Sequence, residues 1–183
     1  MPVATVHEPA QLTSRLVFSS PHSGSHYPQA FLSQTRLDRW QIRRSEDVAV
    51  DRLFERCTQA GAPLLAANFP RAYMDVNREP LELDPRMFDG PLPATANTAS
   101  VRVANGLGSI PKTVGEGWEI YGRRLPVAEA LNRIETVHQP FHRMLRRLLI
   151  RSERTFGQAV LLDCHSMPSS VRSGPMNAVA DII

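Results

Sequence analysis

Short apolar runs alternate with segments of helical spacing along the chain, and three of these runs predict strands. The first covers 16–20 (LVFSS) and ends at Pro21, the second covers 63–69 (PLLAANF), and the third covers 159–163 (AVLLD). Apolar runs of this length, bounded by turn residues, are typical of strands buried in a sheet. The third run, which follows Gly157, is the most continuous, and we interpret it as a central buried strand.

Two segments between the first two strands have helical character. Residues 36–44 (RLDRWQIRR) predict a helix with Trp40 on its buried side. A clearer helix is predicted for 47–60, which ends at Gly61, a residue type that favours helix C-termini. The apolar residues expected near one face of this helix are Val48, Leu53 and Phe54. The order of strand, helix and strand predicts an α/β domain with a largely parallel sheet.

The strongest helical pattern covers 127–155, where apolar residues recur with helical spacing. Pro140 lies inside it and is expected to kink this helix or split it in two, because proline lacks a backbone N–H donor. Residues 79–100 and 105–117 are rich in proline or glycine and have no periodicity. Loops of that length in a compact domain are usually functional or mobile. One domain over 1–183 is expected at this length.

Composition and targeting signals favour a soluble cytoplasmic protein. With 42% hydrophobic residues among 183, the chain can bury a substantial core. Residues 1–14 lack the basic start and apolar run of a signal peptide. The longest apolar runs are far shorter than the roughly 20 residues of a membrane span. Cys57 and Cys164 lie far apart without CxxC spacing, so we expect small buried side chains rather than a disulfide scaffold or a zinc ribbon.

The charge balance permits an anionic ligand and disfavours nucleic acid. The formal net charge is +3, and arginine supplies almost all of the positive charge because Lys112 is the only lysine. Arginine binds carboxylates and phosphates through a planar fork of donors. Most arginines are interleaved with acidic residues, and the one dense group follows a face of the predicted 127–155 helix, as expected of a solvated face. That group contains Arg143, Arg146, Arg147, Arg151 and Arg154.

Two histidines stand directly after predicted strands, His22 after the first and His165 after the third. Ligands bind at the carboxyl ends of strands in open α/β sheets, so the two rings are expected to converge on one site. Imidazole is the commonest zinc ligand, and a catalytic zinc site typically has three protein ligands and a position for water. Glu46 and Asp47, at the entry to a predicted helix, are the candidates for the third ligand. A single histidine after a strand is more often structural, and it is the pair that favours a site.

The polar segment 70–78 (PRAYMDVNR) has two interpretations. Arg71, Asn77 and Arg78 would together form a clamp for a substrate carboxylate, and an arginine also stabilises a carbonyl oxygen that gains charge during hydrolysis. Alternatively, the segment is a turn held by an ion pair between Asp75 and an arginine. The residues alone do not separate these two interpretations.

Five segments, in order along the chain, resemble the N-formylglutamate amidohydrolase family. Together they extend over most of the sequence, and they are too long to match by chance. They are PHSGSHYP at 21–28, EDVAVDRLF at 46–54, PRAYMDVNR at 70–78, GSIPKTVGEGWEIYGRRLPVAEALNRIETVHQPFHRML at 108–145, and LLDCHSMPS at 161–169.

This resemblance implies a three-layer α/β sandwich with a mostly parallel mixed sheet, of the phosphorylase/hydrolase-like type found in zinc carboxypeptidases and aspartoacylases. Those related families hold zinc through His-x-x-Glu and a later histidine. Position 25 is serine here, so the implied ligands are His22, His165 and a carboxylate from elsewhere, with Asp47 preferred and Glu46 in reserve. The family normally continues beyond this length, and we expect the fold to be incomplete at its C-terminus.

The resemblance also implies roles for the 70–78 segment, because its DVNR is similar to the Asp-Leu-Asn-Arg motif of aspartoacylases. Asn77 and Arg78 are expected to bind the substrate carboxylate. Arg71 is expected to stabilise the developing oxyanion, and Asp75 to position the segment that carries these residues.

Three further residues receive expectations of different kinds. Asp163 is expected to orient His165 through a hydrogen bond, as neighbours of metal ligands commonly do. His142 falls at a family-like position, and we expect it to pack its helix. The general base of the related enzymes is a glutamate that follows the second histidine motif. No glutamate follows His165 in this sequence, and within 1–183 Glu46 is the candidate substitute.

The implied reaction is hydrolysis of the formyl amide of N-formyl-L-glutamate, or of a close N-acyl amino acid, by a zinc-activated water, as in histidine breakdown. The implied partners are one zinc ion and a small acidic substrate, without nucleic acid or membrane, and a homo-oligomer is compatible with the pattern. Two alternatives stay open. One is another zinc-dependent deacylase or carboxypeptidase-like peptidase, and the other is a non-catalytic protein that keeps the fold and binds a metal or ligand.

Overall fold

A computed structural model of the chain describes residues 2–115 and 117–167 and has a four-stranded mixed sheet at its centre. The strands are β1 (Ala4–His7), β2 (Leu16–Ser20), β3 (Leu64–Ala67), β4 (Phe88–Asp89), β5 (Thr113–Val114), β6 (Trp118–Glu119), β7 (Leu125–Pro126) and β8 (Val160–Asp163). The order in the main sheet is β1-β3-β2-β8. β1 runs antiparallel to β3, whereas β2 runs parallel to both β3 and β8. β4 pairs with β7, and β5 pairs with β6, in two small sheets.

The helices are short except for one near the end of the described chain. The α-helices are α1 (Gln29–Leu32), α2 (Arg39–Ile42), α3 (Val50–Phe54), α4 (Val101–Ala104), α5 (Val127–Arg133) and α6 (Gln139–Phe156). Stretches of 3-10 helix cover Arg43–Ser45, Glu55–Ala60 and Pro85–Met87, and a π-helical turn covers Ile134–His138. None of the helices within the described residues is long and apolar enough to cross a bilayer. The segments predicted as loops contain only short elements.

Helices pack on both faces of the main sheet. Val17 of β2 belongs to the same core cluster as Phe141 and Leu145 of α6. The ring of Phe18, the next residue of β2, lies 6.1 Å from the ring of Phe54 on α3. Because successive strand residues point to opposite faces, α6 and α3 lie on opposite sides of the sheet. The predicted α/β fold with a mixed sheet is therefore confirmed.

The three predicted strands are present, but one of them differs in position. β2 matches the first apolar run, and β3 occupies the middle of the second. The prediction that the third run is a central buried strand is wrong for the described chain. β8 pairs only with β2 and lies at an edge, and Leu161 is 40% exposed. Within residues 2–115 and 117–167, β8 has a neighbouring strand on one side only, and all four of its residues are exposed.

Trp40 was predicted to be on a buried helix face, and this prediction is wrong because Trp40 is 82% exposed. α2 is a single turn that begins after Asp38, whose carboxylate accepts hydrogen bonds from the backbone N–H groups of Trp40 and Gln41. Ile42 occupies the buried position of this turn instead. The cap therefore fixes which side chain faces the core, and the apolar character of Trp40 does not.

The predicted 47–60 helix is divided, and its predicted apolar face is also wrong. Val48 and Leu53 are exposed, with Leu53 at 73%. Ala49 adopts a left-handed conformation with φ of 61°, so the α-helical stretch begins only at Val50. This conformation breaks the helical spacing that would have aligned these side chains. The predicted end at Gly61, which has φ of 77°, is confirmed.

The long helix predicted for 127–155 is present and interrupted. The π-helical turn at Ile134–His138 separates α5 from α6, and Pro140 lies in the first turn of α6. Proline cannot donate a backbone hydrogen bond, and a wider turn before it accommodates the loss. The prediction that Pro140 splits the helix is confirmed.

Candidate functional site

Two neighbouring parallel strands bring two histidines to one edge of the sheet. His22 follows the end of β2 and His165 follows the end of β8, and these strands pair with each other. The centroids of the two rings lie 4.8 Å apart. The convergence expected from the strand ends is therefore present. His22 is buried, whereas His165 is partly exposed.

Asp47 completes a group of three candidate metal ligands. One ligand atom each from His22, Asp47 and His165 lies within 4.8 Å of the others. Asp47 Oδ2 accepts a hydrogen bond from His165 Nδ1 at 2.9 Å and lies 3.4 Å from His22 Nδ1. Ser166 donates to Asp47 Oδ1 at 3.0 Å. The backbone N–H of Asp47 donates to the carbonyl oxygen of His22, which ties the two segments together.

The donor set of this group fits a zinc ion. Among the described residues, nothing forms a hydrogen bond with Nδ1 of His22, although this side chain is only 2% exposed. A buried polar atom without a partner is costly. Two imidazole nitrogens and one carboxylate are ligands that zinc takes at catalytic sites. We therefore regard the three residues as a candidate metal centre.

Carboxylates hold the other nitrogen of each histidine. His22 Nε2 donates to Asp75 Oδ1 at 2.9 Å, and His165 Nε2 donates to Asp163 Oδ2 at 2.8 Å. A hydrogen bond of this kind fixes the tautomer and the orientation of a metal-binding imidazole. In His22 it leaves the lone pair of Nδ1 directed toward Asp47. The contact with Asp163 follows the sequence expectation, whereas the contact of Asp75 with His22 was not predicted.

The charges within this cluster shift the pKa values of its members. Burial alone would raise the pKa of Asp47, but the contacts from His165 and His22 outweigh it and hold the pKa well below its usual range. Hydrogen bonds to Asp163 and Asp47 raise the pKa of His165 to about 9. The imidazolium form is thus favoured between two carboxylates. A metal ion at this position would take the place of its Nδ1 proton.

The arginine loop, residues 70–78, is joined to the candidate metal centre by Asp75. Asp75 Oδ2 accepts from Arg71 Nε at 3.0 Å and lies 3.8 Å from Arg78 Nε. Burial would raise the pKa of Asp75, but the hydrogen bond from His22 and the positive charges nearby hold it well below its usual range. The ion pair expected from one sequence interpretation is present. The ion pair uses Nε of Arg71 and not its terminal nitrogens. The clamp interpretation, in which Arg71 also binds substrate, is therefore compatible with this ion pair.

Asn77 and Arg78 lie at the far end of this loop. Asn77 Nδ2 is 3.2 Å from His165 Nε2, so its amide borders the candidate metal centre. Arg78 donates through Nε to the carbonyl oxygen of Leu107 at 3.2 Å and through Nη1 to that of Asn77 at 2.7 Å. These contacts fix the guanidinium of Arg78 against the loop that follows α4.

A cavity of about 410 Å³ opens beside Asp47, one of the three candidate ligands. Asp47, Arg71 and Asp75 line one part of it, and residues between Leu107 and Gly115 line another. Pockets of this size hold small organic ligands. The predicted 105–117 loop therefore forms a wall of the site.

Glu46 lies in the same cavity but outside the group of candidate ligands. Its Oε1 accepts a hydrogen bond from the hydroxyl of Tyr27 at 2.5 Å, and its Oε2 accepts from Arg43 Nε at 3.0 Å. Burial, together with Glu46, raises the pKa of Tyr27 far above its usual range, which keeps the hydroxyl as a donor. Of the two neighbouring carboxylates, the structure brings Asp47 rather than Glu46 to the histidines.

Two histidines of the long helix also contact the arginine loop. His138 Nε2 donates to the carbonyl oxygen of Arg78, and His142 Nε2 donates to that of Val76, each at 2.8 Å. His142 was predicted to pack its helix, and no role was predicted for His138. Their spacing of four residues, which places both on one helix face, is the signal in the sequence that indicates a shared contact.

Comparisons with known protein sequences identify a family for this chain. A family model described as N-formylglutamate amidohydrolase matches residues 14–182. Two curated N-formylglutamate deformylases, from Pseudomonas aeruginosa and Pseudomonas putida, are each 30% identical over 158 residues, which is 85% of this chain and 53% of each relative. The chain thus spans about half the length of the curated relatives it matches.

Solved structures agree with this assignment. A crystal structure of N-formylglutamate amidohydrolase from Ralstonia eutropha matches with a TM-score of 0.87 at 34% identity, over 93% of this chain and 60% of that one. A protein from Agrobacterium tumefaciens matches with a TM-score of 0.62 at 21% identity, over 90% of this chain and 56% of that one, which concerns the fold alone. Since the family model covers nearly the whole sequence, the chain belongs to the N-formylglutamate amidohydrolase family.

Proposed function

We propose that this chain hydrolyses the formyl amide of N-formyl-L-glutamate, or of a close N-acyl amino acid, to formate and the free amino acid. One zinc ion, held by His22, Asp47 and His165, would serve the reaction. The observation that carries the proposal is the buried Nδ1 of His22, which faces a carboxylate and a second imidazole and has no hydrogen-bond partner among the described residues. Family membership supplies the substrate class. The proposal includes the expected kinship of the fold with zinc carboxypeptidases and aspartoacylases.

The residues around the candidate metal centre prepare its ligands. Asp75 and Asp163 accept hydrogen bonds from Nε2 of the two histidines, so both rings are oriented with Nδ1 toward Asp47. Zinc bound in such a site supplies a water whose pKa is lowered to about 7 and polarises a carbonyl oxygen. Asp47 is ionised over the whole physiological range because its pKa is held low.

The arginine loop supplies the positive charge that an acidic substrate requires. Arg71 lines the cavity of about 410 Å³, and it contacts Asp75 through Nε and not through its terminal nitrogens. We assign to Arg71 the stabilisation of the oxygen that gains charge as the formyl carbon is attacked. Asn77, whose amide lies beside His165, and the neighbouring Arg78 bind the substrate carboxylate. An arginine and an amide together satisfy both oxygens of such a group.

Glu46 is the candidate for proton transfer within the described residues. It lines the same cavity, and both of its oxygens accept hydrogen bonds, from Tyr27 and Arg43. The carboxylate has a further lone pair beyond these bonds, with which it can take a proton from water. In this role, Glu46→Gln would lower kcat while zinc content stays unchanged.

The test begins with metal content. The purified chain is stripped of metal and reconstituted with zinc, and bound zinc is counted by elemental analysis for the parent and for His22→Ala and His165→Ala. His26→Ala is the matched control, since His26 is an exposed histidine of the same segment. We expect about one zinc in the parent and the control and little in the other two variants.

Formate release from N-formyl-L-glutamate is then measured on the zinc-loaded proteins. We expect release by the parent and by His26→Ala only. Zinc binding that survives His22→Ala would refute the metal centre. A zinc-loaded parent that releases no formate would refute the reaction and favour a metal-binding protein without this activity.

A further inference from the structure

Two hydrogen bonds from one helix face hold the backbone on either side of Asn77. The carbonyl oxygen of Val76 accepts from His142 Nε2, and that of Arg78 accepts from His138 Nε2, both at 2.8 Å. The backbone N–H of Asn77 donates to Asp75 Oδ1 at 2.9 Å. The backbone of three consecutive residues of the arginine loop, 76–78, is therefore held by hydrogen bonds with the side chains of His142, Asp75 and His138.

The two donors lie where the π-helical turn Ile134–His138 passes into α6. His138 ends the π-helical turn, and His142 lies in the first turns of α6. Their rings lie 4.5 Å apart, so they form one surface against the loop. π-helical turns occur often at functional sites. Since a carbonyl oxygen only accepts, both histidines must carry their proton on Nε2.

The held segment carries the side chains assigned to the substrate. Asn77 Nδ2 lies 3.2 Å from His165 Nε2, so a shift of the backbone at this residue would move the amide relative to the candidate metal centre. Binding groups act only when their position is kept within a fraction of an ångström. Packing of a helix against a loop would not by itself require a hydrogen-bond donor at both positions.

We propose that His138 and His142 are positioning residues, which fix the backbone around Asn77 and thereby set where Asn77 and Arg78 meet the substrate carboxylate. This inference rests on the proposed function only for the identity of the ligand. The restraint of the loop by the two histidines does not depend on that function. Neither histidine takes part in the chemical step, so their loss should affect KM more than kcat.

The experiment compares two substitutions at each position in the full chain. His142→Leu fills the space without a donor, whereas His142→Gln places an amide N–H near the position of Nε2. The same pair is made at His138. Because His138 is buried and His142 is exposed, the variants of His142 remain informative if those of His138 do not fold.

Three quantities are measured for each variant: zinc content, kcat and KM for formate release, and hydrogen–deuterium exchange of the backbone amides at 76–79. We expect zinc content to be unchanged in all variants. In His142→Leu, KM should rise about fivefold to tenfold with kcat nearly constant, and the loop amides should exchange faster. His142→Gln should restore both values to within about twofold of the parent.

The exchange measurement separates this inference from the proposed function. If the zinc-loaded parent releases no formate, the proposed function fails, yet faster exchange in the leucine variant and its reversal in the glutamine variant still support the positioning role. Equal behaviour of leucine and glutamine variants would overturn the inference. Loop exchange in His142→Leu that matches the parent would overturn it as well.

Discussion

Asp75 connects the two halves of the candidate site through a single carboxylate. Its Oδ1 accepts from His22 Nε2 and from the backbone N–H of Asn77, and its Oδ2 accepts from Arg71 Nε. The side chain is almost fully buried. A change at this residue should therefore affect both the ligand histidine and the arginine loop.

Replacement of Asp75 by asparagine should weaken zinc binding about 10-fold to 100-fold, because the histidine loses the charged partner that orients it. The free energy of unfolding should fall as well, since Arg71 loses its ion pair. Zinc affinity is measured by competition with a chelator. Asp84→Asn is the control, because Asp84 is also buried and paired with an arginine, Arg86. Equal zinc affinities in parent and Asp75→Asn would contradict this role.

The raised pKa of His165 predicts a pH dependence for zinc binding. Hydrogen bonds to Asp163 and Asp47 raise this pKa to about 9 in the metal-free chain. Below that pH the ring must lose a proton before it binds zinc, so the apparent affinity should rise with pH, by about tenfold per unit, and level off near pH 9. Asp47 contributes nothing to this slope because its pKa is held low.

Titration calorimetry in buffers of different ionisation enthalpy would measure the protons released by zinc. We expect about one proton per zinc at pH 7 from His165. In Asp163→Asn the pKa of His165 should be lower, and the slope should level off at a lower pH. An affinity that is constant between pH 6 and 8 would count against the prediction.

At the scale of elements, backbone conformation determines which helix side chains are buried, and apolar spacing alone did not predict this. Trp40 was assigned to a buried helix face and Leu53 to the apolar face of its helix, and both are exposed because a capped single turn and the left-handed Ala49 set the orientation of their helices. Spacing arguments assume continuous helical winding. A cap or one residue with positive φ shifts every side chain that follows.

Ala49 itself offers a test of that explanation. It has φ of 61°, a conformation that costs a non-glycine residue roughly 1–2 kcal/mol. Because Ala49 is exposed, Ala49→Gly should raise the free energy of unfolding by about 0.5–1 kcal/mol without leaving a cavity. Ala60→Gly, at an exposed position of a 3-10 turn, should lower it by a similar amount. Urea denaturation measures both, and destabilisation by Ala49→Gly would be inconsistent with strain at this residue.

The strands were predicted better than the helices. The two histidines of the candidate site were located correctly because they stand at the ends of predicted strands. β2 and β3 coincide with apolar runs, and the parallel pairing of β2 with β8 brings together two histidines that stand directly after strands. A histidine at a strand end has its location fixed by the sheet. The spacing of His138 and His142 places both on one helix face, but their contacts depend on how the helix packs on the arginine loop, and the spacing does not identify that loop as the partner. The assignments of catalytic and ligand roles stay predictions.

At the scale of the whole molecule, the candidate metal centre joins segments that are far apart in sequence. His165 and Asp47, which share a hydrogen bond of 2.9 Å, are separated by 118 positions. The contact of His22 with Asp75 spans 53 positions. A zinc ion held there would cross-link the β2, α3 and β8 regions, and its binding energy would add to the stability of the entire fold.

Zinc should therefore raise the temperature of unfolding of the parent. At free zinc of about 100 times the dissociation constant, the folded state gains about 2.7 kcal/mol, which corresponds to roughly 5–10 °C for a chain of this size. Circular dichroism during heating, with and without a chelator, measures this shift. His22→Ala should lose the shift and His26→Ala should keep it. An unfolding temperature of the parent that is the same with and without zinc would contradict a metal site shared by these segments.

The pairing of β2 with β8 also has a consequence for how the chain matures during synthesis. His22 and Asp47 emerge early, but the strand that delivers His165 emerges last among the described elements. At typical synthesis rates, roughly 10–30 s separate the appearance of the first and the last of the three candidate ligands. The full set of candidate ligands exists only after β8 has been made and has paired with β2, so a metal ion held by all three would be bound after that pairing.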